Sequence, residues 1–228
     1  MRTVDGKSPH WICLSTVFFG VSLLVTPLLA RSTKSQPAIT VQVYNSASVA
    51  PDILAEAEIE VTRIFRTTGI TVLWLNCPLS ESDAIANPVC IAPCPLNRLA
   101  IRINSEMPAD LSENSLGLAL TETGIYATIY YPRVEEYVKR GVANRSQIMG
   151  HAISHEMGHL LLGPSAHARF GIMRATWTHE DLHSMAMGAL LFSSRESRIM
   201  RGAIIQRMRS GENSGFSASS GASLDRRW

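Results

Sequence analysis

The sequence predicts an α+β domain, and three observations carry that reading. Short runs of alternating, β-branched residues recur through the first half of the chain. Longer runs with apolar residues three and four apart lie between them and dominate the second half. One of these, 147–162, contains no proline and brings two histidines and a glutamate into little more than one helical turn. With 228 residues, 46% of them hydrophobic, the chain can bury one sizeable core.

Residues 1–30 stand apart from that domain. Arg2 and Lys7 precede a run, 11–30, with no charged residue, ending Pro27-Leu28-Leu29-Ala30 before Arg31. This is the pattern of a secretory signal peptide cut near Ala30, with Leu28 and Ala30 at the cleavage positions. A retained membrane anchor over 11–30 is the alternative, weakened by Ser15 and Pro27.

The elements then follow in order. A strand is expected at 38–44 and a helix at 52–67, where Ile53, Ala57, Val61 and Ile64 share one side. Strands are expected at 71–75 and 98–103 from their alternation, and at 116–120 and 125–131 on either side of the turn Thr121-Glu122-Thr123-Gly124. A short helix at 134–140 leads through Gly141 to the helix 147–162. Asn144 or Ser146 can cap that helix, and Gly163-Pro164 supplies its stop. Helices at 179–191 and 195–209 complete the domain. The composition of 211–228 is linker-like and predicts disorder.

Residues 151–173 carry the chemistry. His155-Glu156-Met157-Gly158-His159 is an H-E-x-x-H pattern, and residues four apart on a helix share a face, so both imidazoles can turn to one metal ion. Glu156 lies about 100° round the helix, from where its carboxylate can reach a water on that metal without ligating it. Past the glycine stop, a chain that turns back can place His167 beside the first two. Three protein ligands and one open position describe a catalytic zinc, whereas structural sites are closed by four. Gly171-Ile172-Met173 then makes a tight apolar turn. Six of the seven histidines fall between 151 and 183, a clustering that a purely structural use of histidine does not produce. Some neighbours have plainer readings. His151, one turn before His155, is expected to hydrogen-bond within the fold. His179 and His183 are one turn apart and could pair on a metal, but an exposed or capping role is expected for both.

This stretch resembles the active site of the zincin metallopeptidases, most of all the metzincin branch, whose H-E-x-x-H-x-x-G-x-x-H motif precedes a methionine turn. Gly163 falls one residue later than that pattern and His167 two later. The stretch is also similar to uncharacterised secreted bacterial proteins carrying HE-x-GHLLLG, a histidine and GIM. The resemblance implies a zincin-like domain over 37–210, a twisted mixed sheet packed on helices with a metal-binding active-site helix. It implies His155, His159 and His167 as ligands of one catalytic Zn2+, Glu156 as general base and Met173 as the methionine beneath the metal. In the gluzincin branch the third ligand is a glutamate on a later helix, which makes Glu180 the alternative to His167. Otherwise Glu180 suits the first turn of a helix, and either it or Asp181 could accept a proton from a ligand histidine. Metzincin substrates lie along an edge strand upstream of the metal helix. By order 125–131 holds that place, with Tyr130 and Tyr131 as candidates for binding the carbonyl oxygen. The activity implied is hydrolysis of peptide bonds in a peptide or protein substrate by a secreted or periplasmic enzyme. The alternative is a zinc-stabilised secreted binding protein with little or no turnover.

Export changes the meaning of the cysteines. Cys77, Cys90 and Cys94 lie close together, and an oxidising compartment favours one disulfide. Cys77 with Cys90 is the expected pair, leaving Cys94 free; Cys77 with Cys94 is the alternative. A net charge of +2 gives no reason to expect nucleic acid as a partner, and a membrane contact is expected only if 1–30 is retained.

Overall fold

Five strands form one mixed sheet in the computed structural model, which describes residues 36–91, 98–109 and 111–219. The leader or anchor expected at 1–30 and Cys94 lie outside the described residues. The strands are β1 (Ala38–Asn45), β2 (Thr71–Cys77), β3 (Arg98–Asn104), β4 (Gly117–Leu120) and β5 (Tyr126–Tyr130), ordered β2-β1-β3-β5-β4. All neighbours run parallel except β4, which is antiparallel to β5. Val41, Val43, Ile101, Ile103 and Ile129 on the three central strands are lost to solvent, as a sheet covered by helices requires.

Helix α1 (Pro51–Thr67) makes the crossover from β1 to β2 and buries Leu54, Ala57, Val61, Ile64 and Phe65. Pro51 is tolerated because the first turn of a helix has no acceptor for its missing N–H. Helix α5 (Arg145–Leu162) lies across α1. The two backbones meet at Gly150, where a Cβ would stand 3.0 Å from the Ala57 carbonyl oxygen. Helices α2 (Glu81–Ile85) and α3 (Pro88–Ile91) fill the link from β2 to β3, and α3 carries Cys90, which is bonded to Cys77 at the end of β2. These two short helices have no counterpart in the sequence reading. The remaining helices are α4 (Tyr131–Val138), α6 (His179–Ala186) and α7 (Ser194–Ser219).

Three expectations need correction. The strand near 125–131 is not an edge: β5 sits between β3 and β4, and β4 is the outer strand. The turn at 121–124 folds β4 back outside β5, so the later strand takes the inner place beside β3. Helix α6 stops at Ala186, short of 191, because Gly188 adopts φ +69°, a left-handed conformation that ends a helix. Helix α7 runs past 209 to Ser219, so the described start of the expected tail is helical. Once sixteen preceding residues are helical, each further turn needs no new nucleus.

From α7, Arg207 donates to the Gly124 carbonyl at 2.9 Å and the Leu160 carbonyl at 2.5 Å, tying the β4–β5 turn to the end of α5. Edge strand β4 and helix α5 are thereby held to one another. Among the described residues no helix is long and apolar enough to cross a membrane.

Candidate metal centre

Helix α5 is built to place polar groups where water is scarce. Its start is fixed by a capping box: the Asn144 side chain accepts from the Gln147 amide at 2.8 Å, and the Gln147 side chain accepts from the Asn144 amide at 3.1 Å. Asn144 is thus the cap, while Ser146 donates to Glu56 at 2.5 Å. The helix is buried nearly all round, including His151, Ser154, Glu156 and His159. A polar group in such a place costs stability unless it finds a partner, so each buried imidazole can be traced to one.

His155 and His159 stand one turn apart, and the chain after Gly163 returns to bring His167 against them. The Nε2 atom of His159 lies 3.1 Å from that of His155 and 3.1 Å from that of His167. One ligand atom from each residue falls within 4.8 Å of the others. The far sides of two rings are committed. His155 Nδ1 faces the Ile172 carbonyl at 2.8 Å, and His159 Nδ1 faces the Gly163 carbonyl at 3.4 Å. A ring that donates from Nδ1 presents a lone pair at Nε2. Lone pairs therefore converge at a separation where they repel, unless a cation lies among them. Burial keeps both imidazoles neutral. It pushes His155 down to about 4 against the opposing pull of the Ile172 carbonyl, and it lowers His159 as well. Nitrogens bound tetrahedrally to zinc at about 2.0–2.1 Å stand about 3.3 Å apart, so this donor set fits the ion.

The turn Gly171-Ile172-Met173 is tied both to the His167 loop and to helix α5. Ala168 and Arg174 form a bridge, with the Ala168 amide donating to the Met173 carbonyl at 2.8 Å, and this pins the His167 loop to Met173. Met173 is fully buried against Gly158. A Cβ at Gly158 would lie 2.4 Å from the Met173 sulfur, so the helix must be bare there for the turn to approach. The carbonyl of Ile172, next to Met173, accepts from both His155 and the Trp177 indole, the latter at 3.1 Å. Turn and ligand are thus linked through one oxygen.

Glu156 points away from the helix axis into a cleft of about 270 Å³ lined by the three histidines and β4. It packs against Gly117, where a Cβ would lie 2.7 Å from its Cγ and 2.6 Å from the Thr128 carbonyl oxygen. Burial pushes its carboxyl up to about 8, while the Ala119 amide beside it works in the opposite direction. A dication at the three histidines would favour the ionised form.

Other sequence candidates fall elsewhere. Glu180 is exposed in the first turn of α6 and does not join the three-histidine group, so the alternative third ligand is withdrawn. The glycine turn at 163 is what carries His167 back to the pair, and Glu180 offers no ligand atom to that group. Tyr130 is buried, Tyr131 opens α4, and neither lines the cleft. Burial and Glu135 push the Tyr131 hydroxyl up to about 12. His151 is buried, with Nδ1 2.8 Å from the Gln147 carbonyl and Nε2 3.2 Å from the Leu190 carbonyl. His179 and His183 pack edge to face on the exposed side of α6, their centroids 4.8 Å apart. Sequence reasoning missed Gly117, Gly158, Trp177 and Arg174. Gly158 had a signal, since glycine inside a helix weakens it and calls for a packing reason.

No family model matches the sequence, and no curated protein does. Two solved structures are similar in fold. A zinc-dependent peptidase from Methanocorpusculum labreanum (strain Z) matches with a TM-score of 0.50 and 13% identity, over 70% of this chain and 99% of that one. Archaemetzincin from Methanopyrus kandleri gives 0.49 and 13%, over 75% of this chain and 98% of that one. The first of these likenesses establishes the fold: a mixed five-stranded sheet with helices, of the kind seen in zinc-dependent peptidases.

Proposed function

We propose that this chain is a secreted zinc-dependent peptidase of the metzincin type. The observation that carries the reading is the convergence of three imidazole Nε2 atoms beside a buried glutamate, in a cleft flanked by a strand edge that is unpaired among the described residues. The fold shared with the Methanocorpusculum labreanum zinc-dependent peptidase agrees with it.

His155, His159 and His167 would hold one zinc through Nε2, within the cleft that all three residues line. When bound, zinc supplies Lewis acidity, polarising a carbonyl and lowering the pKa of water to about 7. The Ile172 and Gly163 carbonyls keep two of the rings in the right tautomer and orientation. Glu156 takes the proton from the attacking water as oxygen bonds to the carbonyl carbon. It then delivers that proton to the nitrogen as the C–N bond breaks. The outer edge of β4 offers backbone groups with which an extended substrate can pair, in the role that metzincins give to such an edge. Export is supported by the leader-like 1–30 and by the Cys77–Cys90 bond, which an oxidising compartment preserves.

The test compares zinc-loaded wild type with Glu156→Gln on a broad peptide library, read by mass spectrometry. Wild type should cleave, and the variant should lose about 10²–10⁴-fold in rate while binding zinc as before. Equal, negligible cleavage by both would sink the peptidase reading and favour a zinc-stabilised binding protein.

A further inference from the structure

Arg174 follows Met173 directly and lines the same cleft as the histidines and Glu156. Among the described residues it is the only lysine or arginine lining that cleft. Its backbone is fixed twice, by the bridge to Ala168 and by donation from its amide to the Gly171 carbonyl at 3.1 Å. Its side chain is held by one bond, from Nη1 to Asp181 Oδ2 at 3.1 Å.

Asp181 is not free to follow the arginine. The same oxygen accepts from the Thr178 amide at 2.7 Å and the Thr178 hydroxyl at 2.8 Å, within the capping box of α6. Asp181 is buried, whereas the Arg174 side chain remains 36% exposed. A guanidinium carries five N–H donors in a planar fork. One bond to Asp181 leaves most of that fork unspent, and the fixed carboxylate removes much of the rotamer entropy that a lone arginine loses on binding.

The cleft around it is poor in negative charge. Its lining is apolar residues, small polar groups, imidazoles and one acid, Glu156. We propose that Arg174 is a specificity-determining residue that binds a carboxylate of the substrate. That carboxylate belongs either to an aspartate or glutamate side chain near the cut bond or to a free C-terminus. The inference rests on the peptidase reading for its substrate, but it is tested through binding. A guanidinium–carboxylate contact contributes like other charge-assisted hydrogen bonds, a preference of about tenfold or more over the matching amide.

The experiment uses the full chain loaded with zinc and carrying Glu156→Gln, so that peptides bind without being consumed. Dissociation constants are measured by calorimetry for two sets of acetylated hexapeptides. One set is amidated and has Glu or Gln at each position in turn; the other is neutral and ends in a carboxylate or an amide. Tenfold tighter binding of the carboxylate form in one set, abolished by adding Arg174→Gln, supports the proposal and identifies the source. Arg174→Lys, which keeps the charge but not the fork, should retain only part of the preference. Should Arg174→Gln fail to fold, the Arg174 protein and the lysine variant still decide. No preference at any position, no binding of any peptide, or an undiminished preference in a folded arginine variant overturns the proposal. Selective binding by a protein whose wild type never cleaves would keep this inference and defeat the peptidase reading.

Discussion

Replacing Gly158 by alanine asks whether the turn at Met173 is mechanically joined to helix α5. In an isolated helix, alanine is better than glycine by about 1 kcal/mol. Here the new Cβ would meet the Met173 sulfur at 2.4 Å and the Phe192 ring at 3.1 Å. Overpacking of a buried site costs about 1–3 kcal/mol, so the net loss should be about 0–2 kcal/mol. Met173→Ala alone should cost about 2–5 kcal/mol through the cavity it leaves. Combined, the two changes partly relieve each other, and the double variant should lose about 1 kcal/mol less than the sum. Urea unfolding of the zinc-free protein measures all four corners of this cycle. Zinc affinity of Gly158→Ala should fall severalfold, because a displaced Met173 moves the Ile172 carbonyl that holds His155. Additive losses, or a Gly158→Ala variant stabilised by the full helical preference, would refute the claim that turn and helix are in tight contact.

The remaining predictions concern charge, the edge strand and the crosslink. In the zinc-free protein His155 is depressed to about 4 from an ordinary value of 6.5, so the unfolded chain binds more protons in that interval and stability is lost as pH falls through it. Glu156 is raised to about 8 from 4.5, so stability is lost as pH rises through that window; thermal melts in chelator should therefore peak between about pH 4.5 and 6.5, and Glu156→Gln should remove the alkaline decline. A flat profile would contradict both shifts. Gly117→Ala should lower activity more than zinc content, since the atoms nearest its Cβ would be the Thr128 carbonyl oxygen and the Glu156 side chain; parallel losses of zinc and activity would show that Glu156 placement is not what the glycine protects. Replacing Cys77 and Cys90 together by serine opens a short loop and should cost about 3 kcal/mol in denaturant unfolding, and an unchanged midpoint would mean the bond constrains little.

What was legible in the sequence was local. The pattern His155-Glu156-x-x-His159 needs only helix periodicity, and α5 is a helix whose cap, Asn144, is written three residues before its partner Gln147. The return of His167 was legible because Gly163 marks a stop. The strands were readable one by one, but their order was not. Nothing within residues 116–131 says whether β4 or β5 lies outside, since that depends on which of them pairs with the distant β3. The same holds for contacts made across the fold. Gly158 and Met173, Gly117 and Glu156, and the Ile172 carbonyl with His155 are pairs separated by many residues, whose meeting follows from packing rather than periodicity. Arg174 and Asp181 are near in sequence, yet their ion pair depends on the turn between them. The early end of α6 at Gly188 was within reach, because glycine near a helix end is a common stop.

The central claim is that His155, His159 and His167 share one metal ion. Its most direct measurement is the zinc content of purified, dialysed protein by mass spectrometry of the element, for wild type, Glu156→Gln and the triple variant His155→Ala, His159→Ala, His167→Ala. Wild type and Glu156→Gln should each hold about one zinc per chain, and the triple variant, checked for folding by circular dichroism, should hold none. A wild type without zinc, or a folded triple variant that keeps it, would contradict the account.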